Sequence, residues 1–241
     1  MNMIECKNLC KSYASKKVLD GINLSINQGE FFGLVGMNGS GKSTMIKAML
    51  DLVAIDGGEI EIFGETHRQV SSRKNLAYLP DRFSPPPHLK GKDFICYMLE
   101  LQGVQCDETA INNMLEVLEL DKIAMQSSVS NLSKGMTQKL GLAACLLSDK
   151  KLLMLDEPMS GLDPKARVLF KKELQNKKRQ GASVFFSSHV LADVDELADR
   201  IAVLHNGKLM YVGSTEELKE KYKTDELEDA YMQCIDQVIP A

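Results

Sequence analysis

Phe31-Phe32-Gly33-Leu34-Val35-Gly36-Met37-Asn38-Gly39-Ser40-Gly41-Lys42-Ser43-Thr44 is the stretch that decides the fold of this chain. Residues 31–35 form a continuous apolar run, the pattern of a parallel strand buried on both faces. Residues 36–44 match G-x-x-x-x-G-K-[ST] in full. Glycines let such a backbone curl until successive N–H groups point into one concavity. The helix expected to open at Lys42 adds its positive N-terminal end. The concavity suits a nucleotide's phosphates. Gly36, Asn38, Gly39, Ser40, Gly41 and Thr44 would line it. Lys42 would neutralise the β- and γ-phosphates, and Ser43 would ligate Mg²⁺.

Working outward, residues 151–155, 183–186 and 201–204 are further apolar runs of the buried-strand kind. Helical stretches follow several of these strands, at 42–50, 164–179 and 190–198. Strand, crossover helix, strand implies an α/β core with a parallel sheet. The first thirty residues read differently, as short strands: residues 22–26 alternate apolar and polar, and residues 58–63 repeat that pattern. They predict an antiparallel β subdomain at the N-terminus. From about 83 to 147 the sequence has no clear strand and several helical segments, at 92–101, 108–118 and 134–147. This predicts a helical subdomain inserted into the core. Pro85, Pro86 and Pro87 stand at its entrance and favour an extended conformation, either a stiff linker or a contact surface for a partner. Residues 214–241 read as a helical tail, opened by the capping box Ser214-Thr215-Glu216-Glu217.

Composition narrows the function classes. The 241 residues are 44% hydrophobic and 26% charged, with a formal net charge of −4. That balance predicts a globular chain with no nucleic-acid partner. No apolar stretch reaches the roughly 18–20 residues of a membrane span, and residues 1–11 have no signal-type apolar core. The expectation is a cytoplasmic protein that meets a membrane through a partner. Six cysteines show no CxxC spacing and no nearby histidine, so they read as reduced thiols packed as small hydrophobes.

A second site is written in Lys151-Leu152-Leu153-Met154-Leu155-Asp156-Glu157-Pro158, a buried strand ending in two carboxylates. Open α/β sheets bind ligands at the carboxyl ends of their strands. Asp156 would hold Mg²⁺, and Glu157 would polarise a water for attack on the γ-phosphate. A solvated strand end would look the same, and the phosphate loop decides between the two readings.

The remaining motifs carry a family resemblance. Asn131-Leu132-Ser133-Lys134-Gly135-Met136-Thr137-Gln138-Lys139-Leu140 resembles the signature of ATP-binding cassette (ABC) ATPases, a branch of the P-loop NTPases. Ser160-Gly161-Leu162-Asp163 resembles the family's D-loop, Ser187-Ser188-His189 its switch histidine, and Ala77-Tyr78-Leu79-Pro80-Asp81 its Q-loop region. Tyr13 lies where the family places an adenine-stacking aromatic. The resemblance covers roughly residues 3–213, in the family's order. It implies a head-to-tail dimer, of two copies or of paired ABC subunits, that sandwiches two Mg-ATP molecules. Ser133 and Gly135 would contact the partner's nucleotide, His189 the γ-phosphate, and Asp81 the metal through water. It also implies a separate integral membrane permease, moved through residues 81–101 from the cytoplasmic face.

Local structure offers its own reading of two of these residues: Ser133 and Asp163 are also good helix N-caps. The chain departs from the family's commonest pattern at Lys134, at Met136 and at Asp81, where glutamine is usual. The same departures resemble the subset that exports drugs and polysaccharides from bacteria. The competing reading is an ABC-type switch with weak or no hydrolysis and no transporter.

Overall fold

A computed structural model describes residues 2–236; Met1 and the last residues of the predicted tail, 237–241, lie outside the described residues. The chain opens with two strands, β1 (Asn2–Tyr13) and β2 (Lys16–Asn27). Next come β3 (Phe31–Val35), α1 (Lys42–Met49), β4 (Gly57–Ile62) and β5 (Glu65–Thr66). They are followed by β6 (Leu76–Leu79), α2 (Gly91–Leu101), α3 (Glu108–Val117), α4 (Lys122–Gln126) and α5 (Lys134–Leu147). Then β7 (Leu152–Asp156), α6 (Pro164–Arg179), β8 (Ser183–Ser188), α7 (Leu191–Leu197), β9 (Arg200–His205) and β10 (Lys208–Gly213) alternate. Two helices, α8 (Thr215–Tyr222) and α9 (Leu227–Asp236), follow. The architecture is α/β with a P-loop NTPase-like core, an N-terminal antiparallel sheet and an inserted helical segment.

Two compact units emerge, one of residues 2–75 with 183–236 and the other Leu76–Ala182. The first holds the antiparallel sheet, in the order β2-β1-β4-β5. Its strands β1 and β2 are each twelve residues long, where the sequence suggested short pieces. The alternation is broken because the register slips between Cys6 and Leu9, where Asn8 adopts a positive φ of 48°. A bulge of this kind shifts the in–out pattern without ending the strand. In the same unit β3 pairs in parallel with β8 and with β9. Every residue of β3 and β8 is buried, which is why both read as unbroken apolar runs. Phe32 and Phe185 stack there with ring centroids 6.1 Å apart. Each such ring contributes about 1.5–3 kcal/mol by leaving water. The sheet is mixed, since β10 joins β9 antiparallel. β10 is mostly half-exposed and so lacks the apolar run that marks its neighbours.

The second unit pairs β6 with β7 in parallel and carries helices α2 to α6. β6 escapes a period-based reading because it has four residues, alternately half-buried and buried. Residues 85–87 are non-helical, and the chain beyond them makes an isolated bridge between Lys90 and Ser128. One expectation fails here. Cys96 and Cys106 form a disulfide, with Cα atoms 5.1 Å apart. The chain reverses at Gly103 (φ 74°), with Gly103 N–H donating to Glu100 and Val104 N–H to Leu99. That reversal lays Cys106 back beside α2, a juxtaposition no linear spacing reveals. Cys6, Cys10, Cys145 and Cys234 remain free thiols.

The predicted capping box is present: Ser214 Oγ accepts from Glu217 N–H at 3.1 Å, and Glu217 accepts from Ser214 N–H at 3.0 Å. Among the described residues no helix is long and apolar enough to cross a membrane.

Candidate functional site

The first unit carries Tyr13, the phosphate loop and His189. β3 delivers the loop and β8 delivers the histidine. Their register sets Val35 beside Ser188, so Gly36 and His189 leave neighbouring strands at the same carboxyl edge. Ser188 Oγ accepts from Val190 N–H at 3.0 Å and fixes the turn on which the exposed His189 sits.

Two glycines of the loop have no substitute. A Cβ on Gly36 would lie 2.4 Å from the Leu204 carbonyl oxygen and 2.6 Å from Ser40 Oγ. Gly41 has a φ of 115°, and a Cβ there would lie 2.8 Å from the Val18 carbonyl oxygen of β2. All three distances are shorter than a Cβ tolerates, and the Gly41 φ is strained for any L side chain. Gly41 is also the N-cap of α1 and supplies no capping side chain. In α5, α6 and α8, by contrast, a Ser or Asp oxygen accepts from the first turn. Inside the loop, the buried Ser40 Oγ has no hydrogen-bond partner among the described residues. The buried Lys42 donates from Nζ to the Gly36 carbonyl at 2.7 Å. Asn38 and Gly39 form the exposed tip, and Ser43 and Thr44 are half-buried in the first turn of α1. An orphaned buried hydroxyl, an uncapped helix start and an enclosed ammonium fit a phosphate group. Tyr13 ends β1, is 47% exposed, and has the Lys11 ammonium 5.2 Å from its ring centre.

The second unit carries Asp81, Ser133, Gly135, Asp156 and Glu157. β6 and β7 run in register with Leu79 beside Leu155, so Asp81 and Asp156 emerge at one edge. Asp156 is 2% exposed, whereas Asp81 is exposed. Both act on Tyr78 of β6, whose phenol is pushed up to about 12, first by burial and then by the carboxylates of Asp156 and Asp81. Tyr78 therefore stays neutral and can donate a hydrogen bond beside two acids. Its surroundings depend on strand register and were not legible in the sequence.

Glu157 has a φ of 51° and precedes a proline, which disfavours that conformation further. Such a residue costs of order 1–3 kcal/mol and persists only where its surroundings hold it. A turn follows, with Ser160 N–H donating to the Glu157 carbonyl at 3.0 Å. α5 lies against this turn. Ser133 caps the helix, accepting from Met136 N–H at 3.2 Å, and remains exposed. A Cβ on Gly135 would come within 3.0 Å of the Gly161 carbonyl oxygen. Asp163 caps α6 by accepting from Ala166 N–H at 2.9 Å. That bond, aided by Lys139, holds the Asp163 carboxyl below its ordinary range. Both N-cap expectations are met. Gln138 and Lys139 are buried on α5 and touch the same turn. Both lie in the segment that resembles the signature, but their burial against this turn depends on packing that the sequence does not show.

The family model described as ABC transporter matches residues 19–160, a span that includes the phosphate loop, the signature and both acids.

This chain belongs to the ABC transporter family.

It is similar to ATP-binding subunits within that family. It is 35% identical over 227 residues to an uncharacterized ABC transporter ATP-binding protein of Synechocystis, covering 90% of this chain and 64% of that protein. It is 34% identical to the lantibiotic transport ATP-binding protein SrtF of Streptococcus pyogenes, covering 91% and 96% of the two chains. A solved ATP-binding subunit of an ABC transporter superposes with a TM-score of 0.87 at 27% identity, covering 96% of this cassette and 99% of that chain. The cassette spans 61% of a matching Nostoc protein, so it is shorter than both cyanobacterial relatives.

Proposed function

We propose that this cassette binds and hydrolyses ATP as the cytoplasmic-face subunit of a transporter, most simply an exporter. The observation that carries the reading is the phosphate loop, with a buried Ser40 hydroxyl that has no partner among the described residues and its glycines pressed on Val18 and Leu204. Gly36, Asn38, Gly39, Ser40, Gly41, Lys42, Ser43 and Thr44 bind the phosphates, and Tyr13 stacks on the adenine. Ser43 and Asp156, with Asp81 through water, hold Mg²⁺, which when bound neutralises phosphate charge. Glu157 accepts the proton of the attacking water, and His189 orients that water against the γ-phosphate.

A second subunit completes the site. Ser133 and the first amides of α5 approach the partner's nucleotide, presenting a helix N-terminus to an anion. ATP then favours the closed dimer and hydrolysis reopens it, a two-state element suited to driving a separate membrane permease. Family membership supports the pairing, and the transport roles in the relatives' names, SrtF among them, support the partner. The test is phosphate release by the purified chain with Mg-ATP, together with co-purification of a membrane protein. Saturable turnover that needs Lys42 is expected. Absence of turnover in the chain bound to its permease would favour the rival reading, a switch that binds ATP without hydrolysing it.

A further inference from the structure

The strained Glu157 raises the question of what holds it, and α5 supplies the answer. Gln138 is 4% exposed, and its Nε2 donates to the Pro158 carbonyl at 3.2 Å, one residue beyond Glu157. Lys139 is 8% exposed; its ammonium donates to the Glu119 carbonyl at 3.3 Å and pairs with Asp163 at 3.4 Å. A turn earlier on the helix, Gly135 closes against the Gly161 carbonyl. Three points on one face of the helix, at 135, 138 and 139, thus meet the turn at 161, 158 and 163 respectively. Buried polar side chains are expensive to place and are kept where their hydrogen bonds fix a geometry.

We infer that Gln138 is a positioning residue for Glu157, and that α5 is the strap through which the signature segment sets the hydrolytic carboxylate of its own subunit. Ser133 begins this helix, and Gln138 lies less than two turns along it. A displacement of the helix start therefore reaches the Pro158 carbonyl through one rigid element. Docking of Ser133 against a partner's nucleotide is read by Glu157 in the same chain. This rests on the roles proposed above for Ser133 and Glu157, and it adds a residue that those roles do not require.

Two substitutions test it on the full chain. Gln138→Met keeps an unbranched stem of similar length and removes the amide. Gln138→Glu keeps the shape but turns an acceptor toward a carbonyl oxygen. One lost hydrogen bond in the transition state corresponds to a fall of roughly tenfold. The expected result is a kcat about tenfold lower in Gln138→Met and lower again in Gln138→Glu. The Kd for ATP stays within about twofold, and the Hill coefficient for ATP falls toward one. A merely structural role would lower the thermal midpoint and shift Kd and kcat together, and that outcome overturns the inference. So does a folded Gln138→Met variant with the wild-type kcat and Hill coefficient, while wild-type turnover leaves the proposed function standing. A wild-type chain without ATPase activity would remove the proposed function, and the strap with it. Gln138→Met decides alone if the glutamate variant does not fold.

Discussion

Gly135 near the start of α5 and Gly161 in the turn after β7 approach so closely that a Cβ on Gly135 would lie 3.0 Å from the Gly161 carbonyl oxygen. The contact favours glycine, because a Cβ here requires the turn at 158–163 to give by a few tenths of an ångström and a branched side chain requires more. Gly135→Val adds a branched side chain at that point, an overpacking that costs about 1–3 kcal/mol. We expect a thermal midpoint a few degrees lower, kcat reduced at least about tenfold, and ATP affinity within about twofold of wild type. Calorimetry with steady-state kinetics checks all three. Unchanged kcat would show that the turn tolerates displacement.

Glu157 is assigned the proton from the attacking water. Glu157→Gln keeps the size and the strained backbone while removing the base. Loss of a general base lowers turnover by about 10²–10⁴-fold. ATP binding rests on the phosphate loop and is expected to stay within about threefold. Phosphate-release kinetics beside equilibrium nucleotide titration separate the two quantities, and residual turnover above a tenth of wild type would rule out this role.

Asp163 links stability to pH. Its carboxyl is held low chiefly by the Ala166 N–H, with help from Lys139. A depressed folded value means the contribution is fully present above the unfolded value, about 3.9, and is lost as pH falls through the lower folded value. Asp163→Asn is expected to lower the thermal midpoint at pH 7, and that difference is expected to vanish under strong acid. A difference that stays constant with pH would mean the carboxylate charge contributes nothing.

The thiols give a chemical check on the fold. Burial pushes the Cys6 and Cys145 thiols up to about 12 and also raises Cys234. At neutral pH these three should resist alkylation in the native chain, because the thiolate is the reactive form. The half-exposed Cys10 should react first. Unfolded without reductant, the chain should take up four alkyl groups, and six after reduction, since Cys96 and Cys106 are bridged. Mass spectrometry reads these numbers, and six groups without reductant would show the pair to be reduced.

The parts of the site that depend on chemistry were legible in the sequence, and the parts that depend on juxtaposition were not. Gly36, Gly41 and Lys42 announce themselves because backbone curvature and phosphate charge admit few residue types. β3 and β8 stood out because burial on both faces demands unbroken apolar residues. The bulge at Asn8 hid the length of β1, and half-exposure hid β10. The Cys96–Cys106 bridge depends on a chain reversal at Gly103. Gln138 and Lys139 were legible as part of the signature resemblance, but their contacts with the turn at 158–163 were not.

The sandwich of nucleotide between two subunits is the claim on which transport depends. Sedimentation of the Glu157→Gln chain with and without Mg-ATP tests it most directly. The account predicts a monomer that becomes a dimer when ATP is added and returns to monomer when Ser133 is replaced by glutamate, which sets a negative charge against the phosphates. A chain that binds ATP with normal affinity yet remains monomeric at every concentration would contradict it.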